Sequence, residues 1–134
     1  MTSCWSFGPS DGVRPFILTM YGSNGGPLAL RVNAQWPEMG SQWLTPNVSS
    51  GVVALGQWHR LEWYLKYDTS YGAGNGIIRW WLDGALVGNY TNVRFPNDGG
   101  FVEYQISPTW GGNTGQAKTQ RDYYRFDHSY ISKR

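Results

Sequence analysis

The chain has little of what usually builds a reactive centre. Its 134 residues include one cysteine, Cys4, and two histidines, His59 and His128, which stand far apart. A single thiol excludes an internal disulfide, and a zinc site needs more Cys or His ligands at closer spacing. Cys4 therefore reads as a tolerated thiol near a frayed terminus. Charge is also scarce: Asp, Glu, Lys and Arg make up 15% of the chain, against roughly 25% in ordinary soluble domains. The net charge is +2, with Lys and Arg scattered. Without a positive stripe the chain is expected to bind neither nucleic acid nor a membrane surface, although aromatics and arginines interleave in RWW and DYYRFDH. There is no run of about 20 apolar residues to span a bilayer. The opening MTSCWSFGPSDG lacks a basic region followed by an apolar stretch, so no signal peptide is visible. Localisation stays open between the cytoplasm and, for a processed or partial chain, an extracellular or periplasmic site. No acidic loop of the Asp-x-Asp-x-Asp kind occurs, so neither calcium nor any other cofactor is expected. Asn47-Val48-Ser49 and Asn89-Tyr90-Thr91 match the glycosylation sequon, which is common by chance.

What the chain does have is aromatic residues and glycine: eight Trp, nine Tyr, five Phe and eighteen Gly. No segment sustains a helical period, and helix formers are few. This is an all-β composition, of a size that suits one β-sandwich domain over residues 1–134 and buries about two-thirds of the unfolded surface. Strands are expected at 14–21, 28–34, 52–55, 58–67, 76–83, 85–90, 101–107 and 122–131. Residues 35–56 read as looser, with Trp36, Trp43, Pro37 and Pro46 among small polar residues. Asp83-Gly84 is a strong hairpin signal, and the segment DTSYGAGNG reads as a flexible link. No internal repeat or linker interrupts the series, so antiparallel pairing is the simplest topology.

Alternation assigns the faces. Leu61, Trp63 and Leu65 leave one side of their strand, and Arg60, Glu62, Tyr64 and Lys66 the other. In the next strand Ile78, Trp80 and Leu82 are assigned to the core, on the reasoning that Leu82 continues the apolar face of Leu86 across the turn. Ile77, Arg79 and Trp81 then point outward. In 101–107 the apolar row is Val102, Tyr104 and Ile106, opposed by Phe101, Glu103, Gln105 and Ser107.

The order of these elements resembles a known family. A Trp opening an amphipathic strand with a Lys near its end (Trp58 to Lys66), followed by Asn-Gly-Ile-Ile-Arg-Trp-Trp-Leu-Asp-Gly, resembles the concanavalin A-like lectin/glucanase jelly rolls. The branch nearest in pattern contains heparin-lyase-like polysaccharide lyases and their uncharacterised bacterial relatives. The ending Tyr-Arg-Phe-Asp-His-Ser-Tyr-Ile-Ser is similar to the closing strand of that branch, so the resemblance spans roughly residues 56–132. It implies an antiparallel jelly roll. Members usually exceed this length, which implies that N-terminal strands are missing or trimmed, and that a partner copy in a homodimer covers what is left open. The Glu-x-Asp-x-x-Glu run of the retaining glucanases is absent, and with it the carboxylate pair that retaining hydrolysis needs.

The residues themselves indicate a ligand surface. Glu62, Tyr64, Lys66, Arg79, Trp81, Glu103 and Gln105 are expected on one concave sheet face, with Trp110 as a platform at its rim. Aromatic rings stack on the apolar C–H face of pyranoses, while Arg, Glu and Gln bond hydroxyls. The expected partner is a poly- or oligosaccharide, bound without catalysis. A polysaccharide lyase is the alternative, with Tyr64 or Tyr104 as base and acid and Arg79 or Lys66 neutralising a uronate. A structural or partner-binding sandwich is the third reading. His59 and His128 have core-edge parity and read as structural groups.

Overall fold

A computed structural model of the protein describes residues 2–8, 16–21, 27–36, 40–95, 101, 103–109, 123 and 125–132. The described residues form nine strands and no helix: β1 Thr2–Gly8, β2 Phe16–Tyr21, β3 Leu28–Trp36, β4 Gly40–Leu44, β5 Val52–Val53, β6 Leu61–Lys66, β7 Gly76–Leu82, β8 Ala85–Val93 and β9 Glu103–Thr109. A six-stranded sheet runs β4-β3-β2-β1-β9, with β5 also beside β3, and a three-stranded sheet runs β6-β7-β8. All pairings are antiparallel.

The two sheets share one core. Leu18, Leu30, Val32, Ala34 and Val53 of the larger sheet pack with Ile78, Trp80, Leu82, Val87 and Val93 of the smaller, and with Phe95 just beyond β8. Half-buried Leu61, Trp63, Leu65, Tyr104 and Ile106 surround them. This all-β, two-layer arrangement follows from alternation: each strand offers one apolar row, and two such rows bury each other. The burial of β6 and β7 alternates as expected, with Ile78, Trp80 and Leu82 inward.

The expected reason for that assignment was incorrect, however. Trp80 faces Gly88 while Trp81 faces Leu86, so Val87 is an extra residue in a β-bulge. Leu86 consequently lies on the outward row beside Trp81, and Val87 enters the core instead. Asp83 and Gly84 both adopt positive φ, 52° and 84°, which is the backbone of a type I′ turn.

Trp80 is fully buried and is the largest such side chain. Its indole lies over Gly88: a Cβ built there would come within 2.1 Å of the ring. On its other side it stacks on Tyr90, with centroids 5.8 Å apart and planes 6° from parallel. At one end of the sandwich Phe95 packs on Gly76, and Tyr67, Phe95 and Phe101 form an aromatic cluster.

Residues 45–51 join the layers. The chain leaves β3 after β4, crosses to the outer edge of β8, and returns to β3 at β5. On the way the N–H groups of Asn47, Val48 and Ser49 converge on the Val87 carbonyl, at 3.2, 3.0 and 3.4 Å. The Asn47 side chain imitates a strand, donating to the Asn89 carbonyl at 2.9 Å and accepting the Asn89 N–H at 2.8 Å. The edge of β8 is thereby covered.

Several expectations need correction. Cys4 is not at a frayed end: it lies in β1, with Thr19 and Ser107 as its neighbours on either side. β4 occupies part of the segment read as loose. The link between β6 and β7 is braced: Asp68 Oδ2 accepts the Gly74 N–H, and Asn75 Oδ1 accepts the Thr69 N–H. The closing strand expected over 122–131 is not formed among the described residues, where 125–132 carry no strand. His128 has φ 50°, which breaks an extended pleat, and Phe126 and Tyr130 are exposed. β1, which was not expected, lies beside β9.

Gly88→Ala should force a methyl group into the Trp80 ring and lower stability by about 1–3 kcal/mol or more. Thermal unfolding of Gly88→Ala and of Gly88→Ala with Trp80→Phe checks this. The smaller ring should recover part of the loss, and an unchanged melting temperature in the single variant would contradict the packing described.

Candidate functional site

The outward face of the smaller sheet carries five of the eight expected site residues. Register places Glu62 opposite Trp81, Tyr64 opposite Arg79 and Lys66 opposite Ile77. Glu62, Tyr64 and Lys66 are exposed, while Arg79 and Trp81 are half-buried. Leu86 extends the apolar part of the row on the far side of Trp81. Arg79 donates from Nε to Asn89 Oδ1 at 2.8 Å, which holds the guanidinium along the sheet. Arg60 Nε lies 2.9 Å from Glu62 Oε1, but both side chains are more than half exposed, so the pair adds little stability. The result is a shallow shelf of rings flanked by a carboxylate, an ammonium and a guanidinium.

Of the other three, Glu103 and Gln105 lie in the other sheet and Trp110 lies outside the described residues. Glu103 and Gln105 belong to β9 in the larger sheet, at positions in register with Gly8 and Ser6. Their side chains, and the whole of Trp110, lie outside the described residues. β9 therefore does not belong to the sheet that carries the other five. The expectation failed because alternation fixes a residue's face within a strand but not the sheet to which the strand belongs.

The outward row of the larger sheet contains residues the sequence reading did not single out. Tyr21, Arg31, Thr19, Asn33 and Trp43 share it by register; Tyr21 and Trp43 are exposed, whereas Thr19 and Asn33 are each 2% exposed, so the row is covered at those two positions. The Arg31 Cζ lies 4.9 Å from the Tyr21 ring centroid, and the Tyr21 and Trp43 rings are 5.4 Å apart at 50°. The signal was legible in Ala29, Arg31 and Asn33 alternating with Leu28, Leu30 and Val32. Trp43 was hidden because its short strand has Gly at one end and Pro soon after the other.

His59 is a clamp rather than a base. Its Nδ1 lies 2.7 Å from Asp83 Oδ2 and its Nε2 lies 2.8 Å from the Ala54 carbonyl. Both partners are acceptors, so both ring nitrogens donate and the imidazolium form fits best. Asp83 Oδ1 also accepts the Arg60 N–H at 2.8 Å, which ties the hairpin to the start of β6. The hydrogen bond to Asp83 raises the His59 pKa above its ordinary 6.5, helped by the Ala54 carbonyl and opposed by desolvation. The same bond, then the Arg60 N–H, lowers Asp83 below its ordinary 3.8. His128, by contrast, is exposed and reaches only its neighbour Asp127.

The pH dependence follows in sign. The His59 contribution is complete below pH 6.5 and is lost as pH rises through its higher folded value. The Asp83 contribution is complete above its unfolded value and is lost as pH falls through the lower folded one. Denaturant melts between pH 6 and 8 (roughly the histidine range) should fall more steeply for the native chain than for Asp83→Asn. Parallel slopes would remove the ion pair from the account.

No protein-family model, curated protein or solved structure matches this chain.

Proposed function

We propose that this chain is a non-catalytic carbohydrate-binding module with a concanavalin A-like jelly-roll sandwich, and that its ligand is an oligo- or polysaccharide. The observation that carries the proposal is the cross-strand register of β6 and β7, with Glu62 beside Trp81 and Tyr64 beside Arg79. A pyranose ring laid on Trp81 and Tyr64 would bury its C–H face and leave its hydroxyls within reach of Glu62, Lys66 and Arg79. The shelf is open and shallow, which suits an extended chain of sugars. Glu103 and Gln105, on β9 of the larger sheet, are proposed only as contacts for a ligand bound to that sheet, and Trp110 stays proposed as a platform at a rim.

One observation favours a second reading. Tyr64 and Arg79 stand directly opposite each other, as an eliminative lyase would use a base and a carboxylate-neutralising cation. Tyr64 would take the proton beside the uronate carboxylate, the glycosidic C–O bond would break, and the same proton would pass to the departing oxygen, leaving an unsaturated sugar and an alcohol. Against this reading, Arg79 Nε is already engaged by Asn89.

Polysaccharide pull-down and glycan arrays, with ultraviolet absorbance of unsaturated product read alongside, test both readings. Binding without product is expected, weakened about tenfold or more by Trp81→Ala through loss of a stacked ring. Product formation abolished by Tyr64→Phe would favour the lyase. Binding unaffected by Trp81→Ala would remove the shelf from the proposal.

A further inference from the structure

The larger sheet holds a cation, Arg31, that has no ion pair among the described residues. Arg31 is half-buried on β3, and its Nε is shielded from solvent yet has no hydrogen-bond partner. Among the described residues its one contact of note is the Tyr21 ring. Thr19 is its neighbour across the strand pair and is 2% exposed, with an Oγ1 that also lacks a partner. A shielded Nε–H without an acceptor is costly to keep, and an anion that accepts from it would lower that cost.

Local topology shapes the opening around it. β5 pairs with Leu28 and Ala29, the Leu30 N–H donates to the Gly51 carbonyl at 3.1 Å, and β4 pairs from Val32 onward, so Arg31 stands where the two ladders meet on β3. Trp43 stands on the β4 side, Val52 on the β5 side, and Tyr21 across β2; all three are exposed. Rings and a planar donor fork therefore converge on one spot. The rings suit the apolar face of a sugar, and the fork suits an oxyanion borne on it.

We propose that Tyr21, Arg31 and Trp43 form a second ligand site, for a saccharide carrying a carboxylate or sulfate group. It lies on the face opposite the Trp81 shelf. The proposal shares with the function above the premise that the ligand is a saccharide, but it uses none of the same residues. The anion accepts from Arg31, including Nε, while the sugar ring packs on Trp43 and Tyr21.

The test is a titration of the full chain, labelled with nitrogen-15, with oligogalacturonate, a sulfated oligosaccharide, a neutral oligosaccharide of matched length, and acetate and sulfate alone. The side-chain Nε–H resonance of Arg31 is followed, assigned by its loss in Arg31→Met. An acidic oligomer should shift it and the neutral one should not; the carboxylated and sulfated arms identify which group is read. Affinity for that oligomer should fall about tenfold or more in Arg31→Met and also in Trp43→Ala, but hold in Trp81→Ala. Arg31→Met should melt no lower than the native chain, because it removes an uncompensated charge.

If Arg31→Met melts well below the native chain and the resonance ignores every acidic ligand, the guanidinium is structural and the proposal is overturned. A shift with acetate and sulfate alone, equal to that with the oligomers, would also overturn it as a sugar site. Equal binding of neutral and acidic oligomers, lost in Trp81→Ala, overturns this site while leaving the Trp81 shelf standing. Acidic binding that survives Trp81→Ala and fails in Arg31→Met upholds this site even if the shelf binds nothing.

Discussion

The indole of Trp80 lies in a seat that exists because residue 88 has no side chain, and much of the molecule is oriented by that fit. A buried Trp removes some 150–250 Å² from water, worth roughly 4–6 kcal/mol at the usual area coefficient. Its Nε1 is buried without a partner, which costs about 1–3 kcal/mol. The apolar gain exceeds the polar loss, so the ring stays inside. Once it does, the parity of β7 is settled: Ile78 and Leu82 go in with it, and Arg79 and Trp81 must face out. Antiparallel pairing passes that parity to β6, where Glu62, Tyr64 and Lys66 are turned outward beside them. The shelf is thus a consequence of a packing decision made on the other side of the sheet.

The second constraint is the passage of residues 45–51 between the layers. The bulge at Val87 frees a carbonyl from the β7 ladder, and three successive N–H groups close on it. The Asn47 amide then completes the edge of β8 as a neighbouring strand would. A Cβ at Gly51 would come within 2.4 Å of Val87, and the residue has φ 57°, so glycine is needed for the return.

How much of this was legible depended on the range of the interaction. Alternation in Leu61–Lys66 and Gly76–Leu82 is local, and it correctly separated inward from outward residues. The Asp83-Gly84 turn is also local, and its backbone follows from residues that tolerate positive φ. Sheet membership is not local: nothing within Glu103–Thr109 says that it pairs with β1, so Glu103 and Gln105 were joined to a face on the wrong layer. The bulge is equally hidden, because Leu86 and Val87 are chemically interchangeable in sequence and only the demand of Gly51 and Trp80 selects which one is buried. The 123–132 segment shows the converse error. Its aromatic alternation is a strand pattern, but the pattern fixes neither a partner edge nor the φ of His128.

The two outward faces differ in their electrostatic state, and this difference argues for distinct roles. On the smaller sheet Arg60 pairs with Glu62, and Arg79 Nε has an acceptor in the neutral Asn89 amide. Under the proposed function a ligand there would gain mainly through ring stacking and exchanged hydroxyl contacts, for which a neutral sugar would suffice. On the larger sheet Arg31 is shielded at Nε, which has no hydrogen-bond partner, and its guanidinium lies by the Tyr21 ring. Ring contact offsets part of the desolvation of a guanidinium but supplies no acceptor for its donors. An anion there gains charge-assisted hydrogen bonds that water at a crowded site cannot match. A sandwich whose two layers bury their apolar rows against each other must turn its remaining rows to opposite sides, and in this chain those rows offer a stacking shelf on one side and an unfilled cation on the other.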